Sequence, residues 1–508
     1  MTLPITPLLP QIVSVLAQSP GLVLQAEPGA GKSTAVPLAL LNADWLADKK
    51  ILMLEPRRLA VRSIAHFLAA QLGEQVGQTV GFQVRNERKV STHTRLEIVT
   101  EGILTRRLQH DPELSDVGLI IFDEFHERSI HADLALTLCL EVQSALRDDL
   151  KLLVMSATID TEQVSAFLNQ VPVLQAQGRS YPVETFYLPQ PLTSSHPNDW
   201  LPVLKRTIQQ ALQKGQQDVL VFLPGQREIQ QTLNALNESP PPGLVIRPLY
   251  GSLPLHAQEQ AIRPDSEGRR KVVLATNIAE TSLTIEGIDT VVDAGWVRKA
   301  IYDVSSGMTR MTTQRISKAS AEQRKGRAGR LMPGVCYRLW SESQQAQLSD
   351  FEREEISQAD LSALCIELAQ WGVSEPNELN WMTSPPPAHF QAAKSLLQNL
   401  DLLNEHGQLT TLGKQAHTFG AEPRLARMLL DALHDDDSGR TLACDLAAIL
   451  SEGDILLQNP QADLIQRVLA LQAYRQNRDQ AKKSYPLHIG RAEQALKNAQ
   501  SWRRALKL

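Results

Sequence analysis

The sequence predicts two α/β units built on parallel sheets, followed by a region made of helices. Up to about residue 185, short apolar runs alternate with amphipathic stretches, which is the βαβ pattern of a parallel sheet covered on both faces. A second series of apolar runs opens at 218–225 and includes 271–275. Past Leu339 this alternation gives way to helical periodicity. The predicted fold class is therefore α/β, with two doubly wound parallel sheets.

Each predicted element follows from the spacing of its apolar residues. In the first unit the predicted strands are 22–24, 51–54, 95–99, 117–122 and 151–155, and the predicted helices include 60–72 and 132–146. In the second unit, alternation in 297–302 and 308–313 around a Ser-Ser-Gly turn predicts a β-hairpin. Further helices are predicted at 360–371, 390–400, 423–429, 442–450 and 462–474, with a short turn or wing at 409–413.

Composition narrows the class of protein. The 508 residues carry a formal net charge of -5, so any binding to nucleic acid must use local basic patches. The four cysteines are isolated in sequence, which argues against a zinc site or a disulfide framework. No apolar run approaches the length of a membrane span, and the N-terminus lacks the basic start of a signal peptide. These features predict a cytoplasmic protein without membrane association.

A glycine-bearing loop follows the first predicted strand and opens a helix. In such a loop the backbone N–H groups point at phosphate, Lys32 reaches the β- and γ-phosphates, and Ser33 offers its hydroxyl to Mg²⁺. The predicted nucleotide-binding residues are Glu27, Pro28, Gly29, Ala30, Gly31, Lys32, Ser33 and Thr34. The loop therefore predicts binding of a nucleoside triphosphate.

A second group of candidates follows the apolar strand 117–122. Asp123 is placed to hold Mg²⁺ through water, and Glu124 to orient and deprotonate the attacking water. The predicted metal-site residues are thus Ser33, Asp123 and Glu124. His126 is a candidate for relaying the state of the nucleotide to the second unit. A further strand ends in Ser-Ala-Thr at 156–158, beside the expected γ-phosphate.

Two other strand ends carry groups suited to a phosphodiester backbone. Arg57 and Arg58 follow one strand, and Thr100, Glu101 and Gly102 follow another, where a hydroxyl and a glycine amide are available for phosphate. The alternative for the arginine pair is the solvated start of a helix.

The octet Q-R-K-G-R-A-G-R at 323–330 is the most specific signature in the chain. Arginines three residues apart on one helical face place two guanidinium groups side by side, which suits the equatorial oxygens of a phosphoryl group. For Arg324 and Lys325 the alternative is a basic helix lying on RNA.

The order of these motifs resembles that of the DEAH-box group of superfamily 2 helicases. Phe125 replaces the Ala of that box and, together with Arg-Arg-Leu-Ala at 57–60, resembles the bacterial HrpB-type branch. The resemblance implies two RecA-like domains, a winged-helix domain and a helical bundle that acts as a ratchet. It also implies ATP and Mg²⁺ as cofactors, with other nucleoside triphosphates accepted.

The resemblance assigns roles to particular residues. It makes Arg327 and Arg330 arginine fingers and Gln323 a contact to the γ-phosphate or the attacking water, so that Asp123, Glu124, His126, Gln323, Arg327 and Arg330 form the catalytic set. It places Thr276 and Asn277 on the nucleic-acid backbone, and Ser282 and Thr284 near the nucleotide. In related helicases a hairpin like the predicted one wedges between strands, and the alternative is an ordinary extension of the sheet.

The predicted domains are a RecA-like ATP-binding domain at 1–187, a second RecA-like domain at 188–345, a winged-helix domain at 346–420 and a helical bundle at 421–508. Family members normally continue into a further C-terminal region, so the chain is expected to be C-terminally truncated. Basic residues dominate from Lys482 onward and predict either an exit path for a polyanion or a solvated helix face.

The motifs predict a nucleoside triphosphatase, and the resemblance implies that it is an RNA-dependent helicase. The resemblance implies movement from 3′ to 5′ along single-stranded RNA, or into a duplex with an overhang, by a monomer. One alternative is a DNA translocase, and another is an ATP-gated RNA clamp or remodelling factor that unwinds nothing. The sequence does not indicate a protein partner.

Overall fold

The structure is a computed structural model that describes residues 3–27, 29–84, 87–176, 181–192, 197–238, 243–280, 285–330, 332–457 and 461–507. Three predicted site residues, Pro28, Ser282 and Thr284, lie outside these ranges. Within them, short 3-10 turns separate the longer elements at Thr6–Leu8, Asp44–Leu46, Phe125–Glu127, Asn277–Ala279, Glu355–Ser357, Pro376–Glu378 and Ala432–His434.

The first unit is a twisted sheet with helices on both faces. Its strands are β1 (Gly21–Ala26), β2 (Lys50–Leu54), β3 (Val80–Val84), β4 (Glu87–Lys89), β5 (Leu96–Val99), β6 (Val117–Phe122), β7 (Lys151–Ser156) and β8 (Val173–Ala176). Its helices are α1 (Leu9–Gln18), α2 (Lys32–Leu41), α3 (Arg58–Gln71), α4 (Glu101–His110), α5 (Ile130–Ala145) and α6 (Thr161–Phe167). Within the described ranges the strand order is β4-β3-β5-β2-β6-β7-β1-β8, parallel except for the β3–β4 pair.

Burial explains why this unit folds as a parallel sheet. Every residue of β6 is buried, because helices cover both faces of the central strands. Leu119 and Ile121 pack into the core on one face, and Ile120 and Phe122 into the core on the other. The carboxyl ends of β1, β2 and β6 therefore lie along one edge of the sheet, with β7 between β6 and β1, and a ligand site is expected at this edge.

The second unit repeats this design. Its strands are β9 (Val183–Tyr187), β10 (Asp218–Phe222), β11 (Leu244–Leu249), β12 (Arg270–Ala275), β13 (Ile288–Asp293), β14 (Trp296–Asp303), β15 (Met308–Arg315) and β16 (Gly334–Arg338). Its helices are α7 (Pro197–Lys214), α8 (Gln226–Asn237), α9 (Leu255–Ile262), α10 (Lys318–Lys325) and α11 (Glu342–Ala346). In the described residues, the parallel sheet has the order β11-β12-β10-β13-β16-β9, while β14 and β15 form a separate antiparallel hairpin, as predicted.

The change from one sheet to the next comes earlier than predicted. The first domain was expected to run to residue 187, but β9 pairs in parallel with β16, from Val183 with Gly334 to Tyr187 with Arg338. The strand therefore belongs to the second sheet, and the boundary lies before Val183. Its alternating, half-buried pattern is that of an edge strand, which carries no local signal of the sheet it joins.

The C-terminal region is helical. Its elements are α12 (Ser362–Trp371), α13 (Pro387–Asn399), α14 (Thr411–Phe419), α15 (Pro423–Asp431), α16 (Asp437–Glu452), α17 (Leu464–Gln476), α18 (Arg478–Ser484) and α19 (Ile489–Ala505). An antiparallel bridge joins Leu403 to Leu409 just before α14, so the segment 409–413 is part bridge and part helix start. The winged-helix and ratchet assignments stay predictions.

Packing connects the C-terminal helices to both α/β units. Residues of α12 and α13 share one continuous apolar core with α4 and α5 of the first unit, whereas α15–α19 enclose a core of their own. The β14–β15 hairpin contacts this region, since Tyr302 donates its N–H to the Gln358 carbonyl (2.8 Å) and Arg424 donates to the Gly307 carbonyl (3.3 Å). Within the described ranges, no helix is long and apolar enough to cross a membrane.

Candidate active site

The glycine loop lies between β1 and α2, as predicted. Gly29 and Gly31 have φ angles of +86° and +94°, which L side chains rarely adopt. A Cβ on Gly31 would also lie 2.8 Å from the Leu3 side chain, so the N-terminal segment fixes this turn from outside. The Ile5 N–H donates to the Ala30 carbonyl at 3.1 Å. The sequence thus places a turn with two left-handed glycines at the start of a helix.

Lys32 and Glu124 form a buried ion pair at the centre of the site. The Lys32 Nζ lies 3.1 Å from the Glu124 Oε2, and the two residues are only 4% and 9% exposed. Burial alone would raise the pKa of Glu124, but the charge of Lys32 lowers it to about 2. Burial likewise opposes the charged form of Lys32, yet the charges of Glu124 and Asp123 raise its pKa.

Asp123 occupies the position expected of a metal-site carboxylate. Its Oδ1 accepts the Glu124 N–H at 2.8 Å, and its side chain is hydrogen-bonded by Ser33. In the described part of the chain its buried Oδ2 accepts no hydrogen bond. Burial, followed by the charge of Glu124, raises the pKa of Asp123 to about 6. The donor set of a hydroxyl and a carboxylate, with one oxygen unsatisfied, fits a hard divalent cation such as Mg²⁺.

Glu55 is a third carboxyl of the site, and the predicted site residues did not include it. It follows β2, is 1% exposed, and lines the same cavity as Lys32 and Glu124. Burial and the charges of Asp123 and Glu124 raise its pKa well above the ordinary value. In the sequence it was visible as the first residue of Glu-Pro-Arg-Arg, a motif interpreted through its arginines.

His126 contacts both Glu124 and the next strand end. Its Nδ1 lies 3.5 Å from the Glu124 Oε2 and 3.4 Å from the Ser156 hydroxyl. Burial lowers the pKa of His126, which favours a neutral ring. The side chain therefore connects the carboxylate pair to the Ser-Ala-Thr segment of the same unit, and its role as a relay to the second unit stays a prediction.

The second unit closes the cavity from the opposite side. Gln323 donates to the Thr158 hydroxyl at 2.7 Å, a direct bond between the two units, and the Arg327 Nε donates to the Glu280 carbonyl at 3.0 Å. A cavity of about 370 Å³ lies between the units. It is lined by residues of both, including Gly29, Gly31, Lys32, Ser33, Thr34, Glu55, Glu124, His126, Glu280, Gln323, Arg327 and Arg330.

Two arginines of this cavity lie where burial disfavours their charge. Burial, and then the neighbouring charge of Arg330, lowers the pKa of Arg327 well below its ordinary value. Burial also lowers the pKa of Arg330, to about 10. Both shifts mean that the positive charges are disfavoured where they are, and a phosphate chain between Lys32 and the two arginines would reverse this.

The octet 323–330 does not form a single helical face, so that prediction is wrong. Helix α10 begins at the Ser317 cap, whose hydroxyl accepts the Ser320 N–H at 3.1 Å, and it ends at Lys325. Gly326 follows, and the Arg327 N–H bonds to the Arg324 carbonyl at 3.1 Å in a tighter turn. The turn, rather than helical spacing, carries Arg327 and Arg330 to the cavity.

Arg324 does not face RNA either. It is 1% exposed, donates to the side chains of Glu280 and Asp293 at 2.9 Å each, and lies over the Phe222 ring at 4.9 Å. A guanidinium that is buried and doubly paired is a structural element of the second unit. Lys325 is more exposed and pairs with Glu322 at 3.1 Å.

The predicted nucleic-acid residues fall into two groups. Arg57 and Asn277 line a cavity of about 430 Å³ that also contains His126 and Glu280. Arg57 bridges the units, since it donates to the Ile278 carbonyl at 2.6 Å and pairs with Glu127 at 3.0 Å. Next to Asn277, the Thr276 N–H is donated to the Leu249 carbonyl at 3.2 Å.

The other group borders a separate cavity, also of about 430 Å³, between the first unit and the C-terminal helices. Arg58, Thr100, Glu101 and Gly102 line it on one side, and residues of α12 and α14 line it on the other. Glu101 accepts a hydrogen bond from the Ser129 hydroxyl, while burial raises its pKa to about 7. The predicted contacts are thus distributed along a path past both α/β units.

Two RecA-like sheets that meet at a phosphate loop, a carboxylate pair and an arginine pair define a two-domain P-loop protein. Residues 7–167 match the DEAD/DEAH box helicase family, and residues 202–332 match the helicase conserved C-terminal domain. The chain belongs to the DEAD/DEAH-box helicases, in the DEAH/RHA group, which confirms the family resemblance and the fold class.

Two relatives and one solved structure show the extent of the similarity. The chain is 48% identical over 451 residues to the ATP-dependent RNA helicase HrpB of Escherichia coli, covering 89% of this chain and 55% of that protein. It is 35% identical over 432 residues to the ATP-dependent RNA helicase HrpA of Borreliella burgdorferi, covering 85% of this chain and 52% of that protein. The crystal structure of Escherichia coli DEAH/RHA helicase HrpB superposes with a TM-score of 0.84 at 44% identity, over 98% of this chain and 60% of that one. The chain therefore spans little more than half the length of these relatives.

Proposed function

We propose that the chain is the motor core of an ATP-dependent RNA helicase. The observation that carries the proposal is the buried Lys32–Glu124 pair, 3.1 Å apart, in a cavity that Arg327 and Arg330 close from the other unit. A phosphate-binding lysine, a carboxylate for water and two guanidinium groups are the parts that phosphoryl transfer requires. The relatives named above as RNA helicases support RNA as the polymer.

The nucleotide is held mainly by the first unit. The glycine loop and the start of α2 offer N–H groups to the phosphates. Ser33 and Asp123 would hold Mg²⁺, which neutralises charge that develops on the phosphates. ATP is expected to be the main substrate, with other nucleoside triphosphates accepted, because the predicted contacts are to phosphates rather than to the base.

Lys32 controls when Glu124 becomes a base. In the structure Lys32 pairs with Glu124 and holds its pKa near 2, which is too low for efficient removal of a proton from water. A bound triphosphate competes for the Lys32 ammonium. Once Lys32 contacts the β- and γ-phosphates, the pKa of Glu124 rises and its oxygens turn to the attacking water. Substrate binding thus activates the base.

The second unit completes the site when ATP is bound. Arg327 and Arg330 stabilise the charge on the phosphoryl oxygens, and Gln323 contacts the γ-phosphate or the water. Hydrolysis splits ATP into ADP and inorganic phosphate, and departure of the phosphate removes the charge that attracts the two arginines, so the cleft opens again. The cross-domain bonds Gln323–Thr158 and Arg57–Ile278 are the contacts that such a movement must break or rearrange.

Opening and closing of the cleft between the two units act on RNA through contacts to its sugar-phosphate backbone. Arg57 and Asn277 lie in one cavity and Arg58 and Thr100 in the other, so a strand in contact with both groups would shift when the units move. Backbone contacts carry no base information, so binding is expected to be strong but indiscriminate. We infer a monomer that moves 3′ to 5′ along single-stranded RNA, or into a duplex with an overhang.

The test is ATP hydrolysis at one fixed salt concentration without nucleic acid, with single-stranded RNA and with the matching DNA. Stimulation by RNA alone supports the proposed motor. Equal stimulation by DNA would contradict RNA specificity, because the 2′-hydroxyl is what separates the two polymers. A partly duplex RNA with a 3′ overhang, compared with one with a 5′ overhang, tests unwinding and direction. Hydrolysis without unwinding would instead favour an RNA clamp.

A further inference from the structure

Glu55 and Asp123 follow neighbouring strands of the first sheet. Strands β2 and β6 pair in parallel, with Leu54 opposite Phe122, and the Asp123 N–H donates to the Leu54 carbonyl at 3.1 Å. The next residue on each strand is therefore a carboxylic acid at the same edge of the sheet. Glu55 is 1% exposed and Asp123 is 3% exposed.

Each of these two buried side chains has one oxygen without a hydrogen-bond partner. Across the described ranges, neither the Glu55 Oε2 nor the Asp123 Oδ2 accepts a hydrogen bond. A buried carboxyl oxygen without a hydrogen-bond partner destabilises the folded state. Lys32, the ammonium group in the same cavity, is directed to Glu124 instead. The folded chain thus holds two buried carboxyl oxygens, at the ends of neighbouring strands, that a donor or cation from outside the chain would satisfy.

We propose that Glu55 is a further residue of the divalent-cation site, where it accepts a hydrogen bond from water bound to the ion. The inference rests on the proposed function, in which Ser33 and Asp123 hold Mg²⁺. Magnesium keeps several of its waters when it binds protein and nucleotide, and such waters donate to nearby carboxylates. Glu55, which lines the cavity, would orient the waters bound to the ion and would not contact the transferred phosphate.

The experiment measures cation binding in the absence of turnover. Mn²⁺ replaces Mg²⁺, and its binding is followed by electron paramagnetic resonance with a nonhydrolysable ATP analogue present, in the unaltered chain, in Glu55→Gln and in Glu55→Ala. Glu162→Gln, which removes an exposed carboxylate from the same unit, is the charge-matched control. Affinity for the analogue is also measured in the presence of EDTA, where the cation makes no contribution.

The expected result is an affinity for Mn²⁺ about 10-fold weaker in both Glu55 variants, as for other residues that orient metal-bound groups. Affinity for the analogue in EDTA should stay within about twofold of the unaltered chain, and Glu162→Gln should match it throughout. Unchanged Mn²⁺ affinity would overturn the inference, as would a loss of analogue binding in EDTA. If the unaltered chain bound neither analogue nor cation, the proposed function itself would fail, which is a distinct outcome.

Discussion

Arg324 should be a major source of stability for the second unit and should contribute little to RNA binding. Its guanidinium group pairs with Asp293 and Glu280 at 2.9 Å each and covers the Phe222 ring. Asp293 is fully buried, and among the described residues its side chain accepts one further hydrogen bond, from the Gly295 N–H at 2.8 Å. The substitution Arg324→Met keeps most of the side-chain volume but leaves this carboxylate without a cation.

The size of the effect follows from the burial of the pair. Removing one partner of a buried ion pair typically costs about 3–5 kcal/mol, because the remaining charge stays desolvated. For a unit of this size each kcal/mol corresponds to roughly 2–4 °C, so the unfolding midpoint should fall by roughly 10 °C. Differential scanning calorimetry and urea unfolding measure the change, with titration of single-stranded RNA as the second readout.

Lys325→Met is the matched control, since it removes a cation from the next residue. Lys325 pairs with Glu322 on a side chain that is 30% exposed, and such a pair contributes about 1 kcal/mol or less. A fall of less than about 1 kcal/mol in Arg324→Met would refute the structural role. So would a variant that folds normally but loses RNA affinity, because that result would return Arg324 to the RNA surface.

Three further predictions concern the site and its surroundings. Glu124→Gln should keep ATP binding while turnover falls by about 10²-fold or more, as measured by single-turnover hydrolysis; near-normal turnover would remove Glu124 from the role of base. Arg327→Ala should lower kcat by about 10³-fold with little change in KM, and a loss confined to KM would assign it to ground-state binding. Because burial raises the pKa of Glu101 from 4.5 to about 7, the folded state binds this proton more tightly, so stability should decrease as pH rises between these values. Glu101→Gln should reduce the fall in melting temperature over this pH range. A fall as steep as in the unaltered chain would contradict this prediction.

The elements predicted best are those whose burial is uniform. The apolar run 117–122 coincides with β6, because a strand covered on both faces needs an unbroken run of apolar residues. Strand β9 was missed, because only its pairing with β16, far along the chain, decides which sheet it joins. The start and type of an element are local properties, whereas sheet membership is a property of the whole chain.

The candidate site also divides into features that local sequence predicts and features that only the folded chain produces. The glycine loop, Asp123 and Glu124 were predicted because their chemistry needs those residue types at strand ends. The Lys32–Glu124 pair was not, since it joins two loops that approach each other only in the folded sheet. Glu55 illustrates the limit most clearly, because its unsatisfied oxygen is a result of packing and leaves no pattern in the sequence.

The arginines of the segment 323–330 have opposite roles, although they are only three residues apart in sequence. Arg324 is neutralised by two carboxylates and stabilises the unit, so it cannot also serve a ligand. After the helix ends at Lys325, Arg327 and Arg330 line the cavity between the units, where burial disfavours both charges and the charge of Arg330 further disfavours that of Arg327. In the proposed function, a bound triphosphate relieves this cost. In the proposed motor, the free energy released when the phosphates meet these arginines would serve to close the two units on RNA.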